Sequence, residues 1–170
     1  KSFVVLISGS GSNLKALLDA VARSEIRAQV KAVIADRDCA GRQHAEAAGV
    51  PFVLLNRKTA DFAAALDAAV PDCDLVVLAG FLSIIPPALV ARFPHRMVNL
   101  HPSLLPKFGG AGMYGLRVHQ AVLAAGERES GCSVHWVDTW IDSGAVIAQA
   151  QVPVLADDTQ IGKSTRLNSS

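Results

Sequence analysis

What this sequence lacks narrows it first. It lacks an excess of either charge: 16 Lys and Arg against 15 Asp and Glu leave a formal net charge of +1. Nothing electrostatic therefore draws it to nucleic acid or to an anionic lipid surface. It lacks an apolar run long enough to span a bilayer. Its first residues enter a strand-like run, FVVLIS, without the architecture of a secretory signal. Its three cysteines, Cys39, Cys73 and Cys132, are an odd number without metal-ligand spacing. That argues against a disulfide framework and for reduced thiols in the cytoplasm. No internal repeat and no linker rich in Pro, Gly or Ser divides the 170 residues. One domain is expected, able to bury roughly 70% of the unfolded chain's surface.

What is present is an alternation of strand and helix signals. FVVLIS reads as a strand buried on both faces, and Leu14, Leu17, Leu18 and Val21 follow at helical spacing. VKAVIA is a second strand, followed by an alanine-rich helix through Ala48, and PFVLL is a short third. TADFAAALDAAV is a helix, CDLVVLAG a strongly apolar strand, and PPALVARF a short helix with proline in its first turn. RMVNLH is the fifth strand. This order predicts an α/β fold, a doubly wound, mostly parallel sheet with a Rossmann-like N-terminal half. After Pro106 the pattern changes. KFGGAGMYG is irregular, LRVHQAVLAAG is helical, and GCSVHWVD and AVIAQAQVPV are two strands joined by TWIDSG. These last strands are expected to add antiparallel to the sheet.

Two places carry candidate chemistry. The turn SGSGSNL joins the first strand to the first helix. Its glycines and a Ser12 or Asn13 N-cap would leave N–H groups and a helix dipole for a phosphate. Leu14 stands where a dinucleotide fingerprint needs its third glycine, although Asp36 could serve as a ribose-binding acid. A nicotinamide-dependent oxidoreductase thus remains a rival. The second place is MVNLHPSLLP. Side chains alternate along a strand, so Asn99 and His101 share one face at the carboxyl end, where open α/β sheets hold ligands. An amide can donate to an oxyanion, and a histidine can move a proton near neutral pH. Asp138 or Asp142, both in VDTWIDSG, could set that histidine's charge, or both could be ordinary turn carboxylates. His44 and His95 are expected in solvent. A zinc site drawn from His101, His119, His135 or Cys132 lacks a recognised ligand spacing.

Four segments, VVLISGSGSNL, VVLAGF, VNLHPSLLPKF and GCSVHWVDTWIDSGAVIAQAQVPV, resemble the phosphoribosylglycinamide formyltransferase family in content and order. The resemblance implies a folate-dependent enzyme of purine synthesis. Asn99, His101 and Asp142 match its catalytic trio. Gly11, Ser12 and Asn13 match the loop that holds the ribonucleotide phosphate. Arg57, Leu82, Ser83, Ile84 and Ile85, with Asn99 and the loop Asp138, Thr139, Trp140, Ile141 and Asp142, match the folate pocket. Ser133 and His135 match residues lining the site, and the Leu105–Pro106 bond is expected to be cis. The implied co-substrate is 10-formyltetrahydrofolate, with no metal. The implied partner is glycinamide ribonucleotide, and the chain is a monomer or homodimer. Formyltetrahydrofolate deformylase is the nearer rival, though an additional N-terminal domain would be expected of it. Leu82 and Ser83 depart from the methionine and arginine frequent in the family, which puts an arginine contact to substrate in question. The family pattern ends near Thr159. Residues 1–159 are expected to form the formyltransferase domain and 160–170, with KSTRLNSS resembling a translated sequencing adapter, a non-native tail.

Overall fold

The computed structural model describes residues 1–138, 142–155 and 158–159. Packing divides the chain after Val98 into two compact units. In the first, β1 (Ser2–Ile7), β2 (Gln29–Ala35), β3 (Phe52–Leu54) and β4 (Leu75–Leu78) form a parallel sheet in the order β3-β2-β1-β4. β1 lies inside, and Val4, Val5, Leu6 and Ile7 are all fully buried. That is why its sequence is apolar without alternation: a strand covered on both faces has no polar side to show. Four helices make the connections: α1 (Ser12–Ala22), α2 (Arg42–Ala47), α3 (Phe62–Ala69) and α4 (Pro87–Arg92). Each buries the apolar positions its spacing sets apart, Leu14 and Leu18 in α1 and Leu66 in α3.

β5 (Met97–His101) runs into the second unit. An irregular stretch follows, then α5 (Leu116–Ala124), β6 (Glu129–Trp136) and β7 (Val146–Pro153). β6 and β7 pair antiparallel from Glu129 opposite Pro153 to His135 opposite Val146, with a register irregularity between Val134 and His135. The expected change from parallel to antiparallel pairing is therefore present. The Leu105–Pro106 bond is cis, as the resemblance implied. No helix among the described residues is long and apolar enough to cross a membrane.

Candidate active site

β5 delivers Asn99 and, two residues on, His101, which is 4% exposed. Asp142 comes to them from the turn before β7 in a left-handed conformation, φ 54°. Its carboxylate accepts the Gly110 N–H at 2.9 Å. It stands 3.5 Å from His101 Nδ1, 3.4 Å from His135 Nε2 and 3.5 Å from Asn99 Nδ2. Burial pushes the Asp142 carboxyl up. The hydrogen bonds from His135 and Gly110 and the attraction of the two histidines outweigh it and hold the group below its ordinary range. Of the two acids the spacing left open, Asp142 joins the cluster. Asp138 is exposed and accepts the Ser143 hydroxyl at 2.7 Å.

The glycine two residues after Asp142 has a steric cause. A Cβ on Gly144 would overlap the Trp136 carbonyl oxygen, so only glycine lets the turn close against the end of β6. Both nitrogens of His101 face oxygen: Nε2 donates to the Phe108 carbonyl at 2.7 Å, and Nδ1 faces Asp142. His135 Nδ1 donates to the Trp136 carbonyl at 2.9 Å, and its Nε2 lies 3.0 Å from Asn99 Nδ2. His135 is thus a direct partner of Asn99 and Asp142.

Ser133, fully buried on β6, ties down the segment after β5. Its hydroxyl donates to the Ser103 carbonyl at 2.7 Å and accepts the Leu105 N–H at 3.0 Å. Gln149 on β7 donates to the same hydroxyl at 2.9 Å and to the Leu105 carbonyl at 3.0 Å. Ser133→Ala leaves the buried Leu105 N–H without its acceptor. The expected destabilisation is about 1–3 kcal/mol, read as a lower urea midpoint with an unchanged slope. A midpoint equal to wild type would mean that Gln149 alone holds the segment.

In the first unit, the turn after β1 differs from expectation in one respect. Neither Ser12 nor Asn13 caps α1. Gly11 is the N-cap, at φ 74°, and no side chain bonds the first-turn N–H groups. A Cβ on Gly11 would lie 2.8 Å from the Gly41 Cα, and Gly41 N–H donates to the Gly9 carbonyl at 3.1 Å. Backbone approach rather than a polar cap shapes this turn, and its amides stay unclaimed by side chains.

Asp36, the alternative ribose acid, is fully buried and already engaged. Arg37 binds both its oxygens, at 2.9 and 2.8 Å, and Ser83 donates to Oδ2. Burial pushes its carboxyl up, but hydrogen bonds from Arg37, Ser83 and Ser8, with the Arg37 charge, bring it below the ordinary value. Ser8 also accepts the Leu82 N–H at 2.8 Å. Ser83, where the family often carries arginine, therefore braces an internal carboxylate. Leu82 is 42% and Ile84 78% exposed, and Arg57 is exposed. Thr139, Trp140 and Ile141 lie outside the described residues, as does the tail 160–170. No group of three or more His, Cys, Asp or Glu among the described residues is arranged to hold a metal ion.

Sequence reasoning from the residues missed Gln149, the Phe108 carbonyl and the Gly110 amide. The last two are backbone groups with no sequence signature, and a glutamine in a strand is ordinary. The residues alone raised His135 only as a zinc-ligand candidate, and its place at the catalytic cluster came through the resemblance, although it sits on β6 with the same parity as Ser133, which could have marked a shared face.

Residues 1–169 match the family described as formyl transferase. The chloroplastic phosphoribosylglycinamide formyltransferase of Vigna unguiculata is 38% identical over 166 residues, 94% of this chain and 53% of that protein. The chain thus spans about half the length of that relative. The crystal structure of glycinamide ribonucleotide transformylase 1 from Symbiobacterium toebii matches at TM-score 0.90 and 38% identity, covering 99% of this chain and 80% of that one. A formyltetrahydrofolate deformylase from Pseudomonas syringae matches at TM-score 0.87 and 25% identity, covering 99% of this chain and 57% of that one.

Proposed function

The chain belongs to the formyl transferase family, and on that premise we propose that it transfers a formyl group from 10-formyltetrahydrofolate to the amine of glycinamide ribonucleotide. The supporting observation is the cluster itself: one carboxylate, Asp142, with 10% of its side chain exposed, within 3.5 Å of an amide nitrogen and of two imidazoles. The amine attacks the formyl carbon and a carbon–nitrogen bond forms. The carbonyl oxygen becomes an oxyanion. Asn99 Nδ2–H and an N–H of His101 stabilise it, the histidine exchanging the Phe108 carbonyl for the stronger acceptor. Asp142 balances the charge of the doubly protonated ring. Collapse breaks the bond to the folate nitrogen, and the proton lost by the amine reaches that nitrogen through the histidine or water. A donor to the oxyanion is worth about 3–4 kcal/mol and positioned proton transfer about 10²–10⁴-fold. The displacement requires neither a metal nor a covalent intermediate.

Gly11, Ser12 and Asn13 take the ribonucleotide phosphate on the open amides of α1, aided by its dipole. Arg57, Leu82, Ser83, Ile84 and Ile85, with the loop from Asp138 to Asp142, take the folate. Ser133 and His135 line the catalytic cluster. Under this reading the partners are two small molecules, without nucleic acid or membrane. The chain is a monomer or homodimer of the cytoplasm.

Formyl loss from the donor, measured with and without the ribonucleotide, tests the proposal. Loss should require the ribonucleotide and match formylated product one for one. Inorganic phosphate should compete with the ribonucleotide and not with the folate. The deformylase reading, less supported by the comparisons although one Pseudomonas syringae structure bears that name, predicts free formate at the same rate without the acceptor. Competition by phosphate against neither substrate would remove the role of the Gly11–Asn13 turn.

A further inference from the structure

His135 is 2% exposed, lies on β6 beside the register irregularity, and faces partners on each of its nitrogens. Irregularities of this kind recur beside active sites, where they re-aim a side chain. The Trp136 carbonyl at 2.9 Å can only accept, so Nδ1 carries a proton in either charge state of the ring. The neutral ring then has a bare Nε2, which must accept. The donor in place is Asn99 Nδ2 at 3.0 Å. The second N–H of that amide points toward Asp142 Oδ1 at 3.5 Å, a long contact that a developing oxyanion can replace.

The protonated ring reverses this logic. Its Nε2–H needs an acceptor, and an amide N–H 3.0 Å away is a clash of two donors. Asp142 Oδ1 at 3.4 Å is one acceptor. The other is the Asn99 carbonyl oxygen, brought round by half a turn of the amide, which exchanges two groups of nearly equal size. We propose that His135 is a positioning residue that sets which end of the Asn99 amide faces the reacting group, amino end when neutral and carbonyl end when protonated. The proton on His135 also competes for Asp142, the carboxylate that His101 uses. One ring therefore governs both the oxyanion donor and the acid–base partner. The consequence for turnover rests on the reading under Proposed function; the coupling between ring and amide does not.

Among the described residues, the charged surroundings of His135 are few. Asp142 and Asp138 both act on it from the turn before β7. β5 contributes the uncharged Asn99, with His101 standing across Asp142. β7, its paired strand, carries no titratable residue from Val146 to Pro153. Burial works against a proton on this ring. Asp142, the Trp136 carbonyl and the Asp138 charge outweigh it and move the ring above its ordinary value of about 6.5.

Nuclear magnetic resonance of the whole chain tests the coupling directly. The His135 ring and the Asn99 side-chain NH₂ pair are followed from about pH 5 to about pH 9, the span over which histidine titrates. The two should share one midpoint. In His135→Gln the Asn99 titration at that midpoint should vanish. Turnover supplies the second arm. Glutamine retains an acceptor for Asn99 and leucine does not, so kcat of His135→Leu should fall below that of His135→Gln by about 10- to 100-fold, the scale of a misplaced catalytic group. A ring that titrates while the Asn99 pair stays still, a ring that never titrates, or equal kcat in the two variants overturns the inference. A chain that transfers no formyl group overturns the functional reading alone, because the resonance arm needs no turnover.

Discussion

Asp142→Asn is expected to lower kcat by about 10²–10⁴-fold, the range for a positioned proton-transfer group, while both Michaelis constants stay within a few-fold of wild type. The asparagine keeps the shape and can still accept the Gly110 N–H, so substrate binding has little reason to change. What disappears is the negative charge that His101 and His135 share. A fall in kcat without a rise in KM marks an interaction needed chiefly in the transition state. Unchanged kcat would show that Asp142 is a turn residue. The same substitution has a stability signature. The folded-state pKa of Asp142 is depressed, so its contribution is present above the unfolded value of about 3.9 and lost as pH falls through the folded one. That of His135 is raised, so its contribution is full below about 6.5 and lost as pH rises through the folded value. Urea unfolding across pH should therefore show the gap between wild type and Asp142→Asn widest between about pH 4 and about pH 6.5. A gap that does not change with pH would deny the charge coupling.

Gly144→Ala should be the most damaging small change near the site. The added methyl meets the Trp136 carbonyl, a backbone atom within a strand, so no side chain can swing away to make room. The turn must open, and Asp142, two residues earlier and already at φ 54°, moves with it. We expect a loss of at least about 3 kcal/mol, the upper end for overpacking. In a domain of this size that corresponds to a melting temperature lower by about 6–12 °C. Residual turnover at a temperature where the variant is still folded should fall as in Asp142→Asn. Wild-type melting together with wild-type turnover would mean that the turn relaxes without carrying Asp142.

The architecture was legible because burial writes itself into composition. The unbroken apolar runs of β1 and β4 announced strands covered on both faces, and the polar pair in β5 stood out against them. The choice between Asp138 and Asp142 was not legible in the spacing and came only with the resemblance. The two lie four positions apart, and the left-handed backbone at Asp142 that aims its carboxylate is set by closure against Trp136, a tertiary event. The expected polar cap on α1 failed for a similar reason. Ser12 and Asn13 have the right chemistry, but the close approach of Gly41 fixes the turn one residue earlier. Asp36 was a plausible ribose ligand by position, and no pattern along the chain could show that Ser83, 47 residues on, would close over it.

The meeting of Gly11 and Gly41 has an evolutionary consequence. A Cβ on Gly11 runs into the Gly41 Cα at 2.8 Å, and a Cβ on Gly41 meets the Gly11 Cα at 3.3 Å and Ile7 Cδ1 at 2.5 Å. Trimming Ile7 would relieve the closest contact at Gly41, but the 2.8 Å contact at Gly11 is with main chain, which no substitution removes. Lineages descending from this sequence can drift at the exposed Ser10. At Gly11, held also by φ 74°, there is no second-site suppressor to find, whereas at Gly41 a substitution must wait for a change at Ile7.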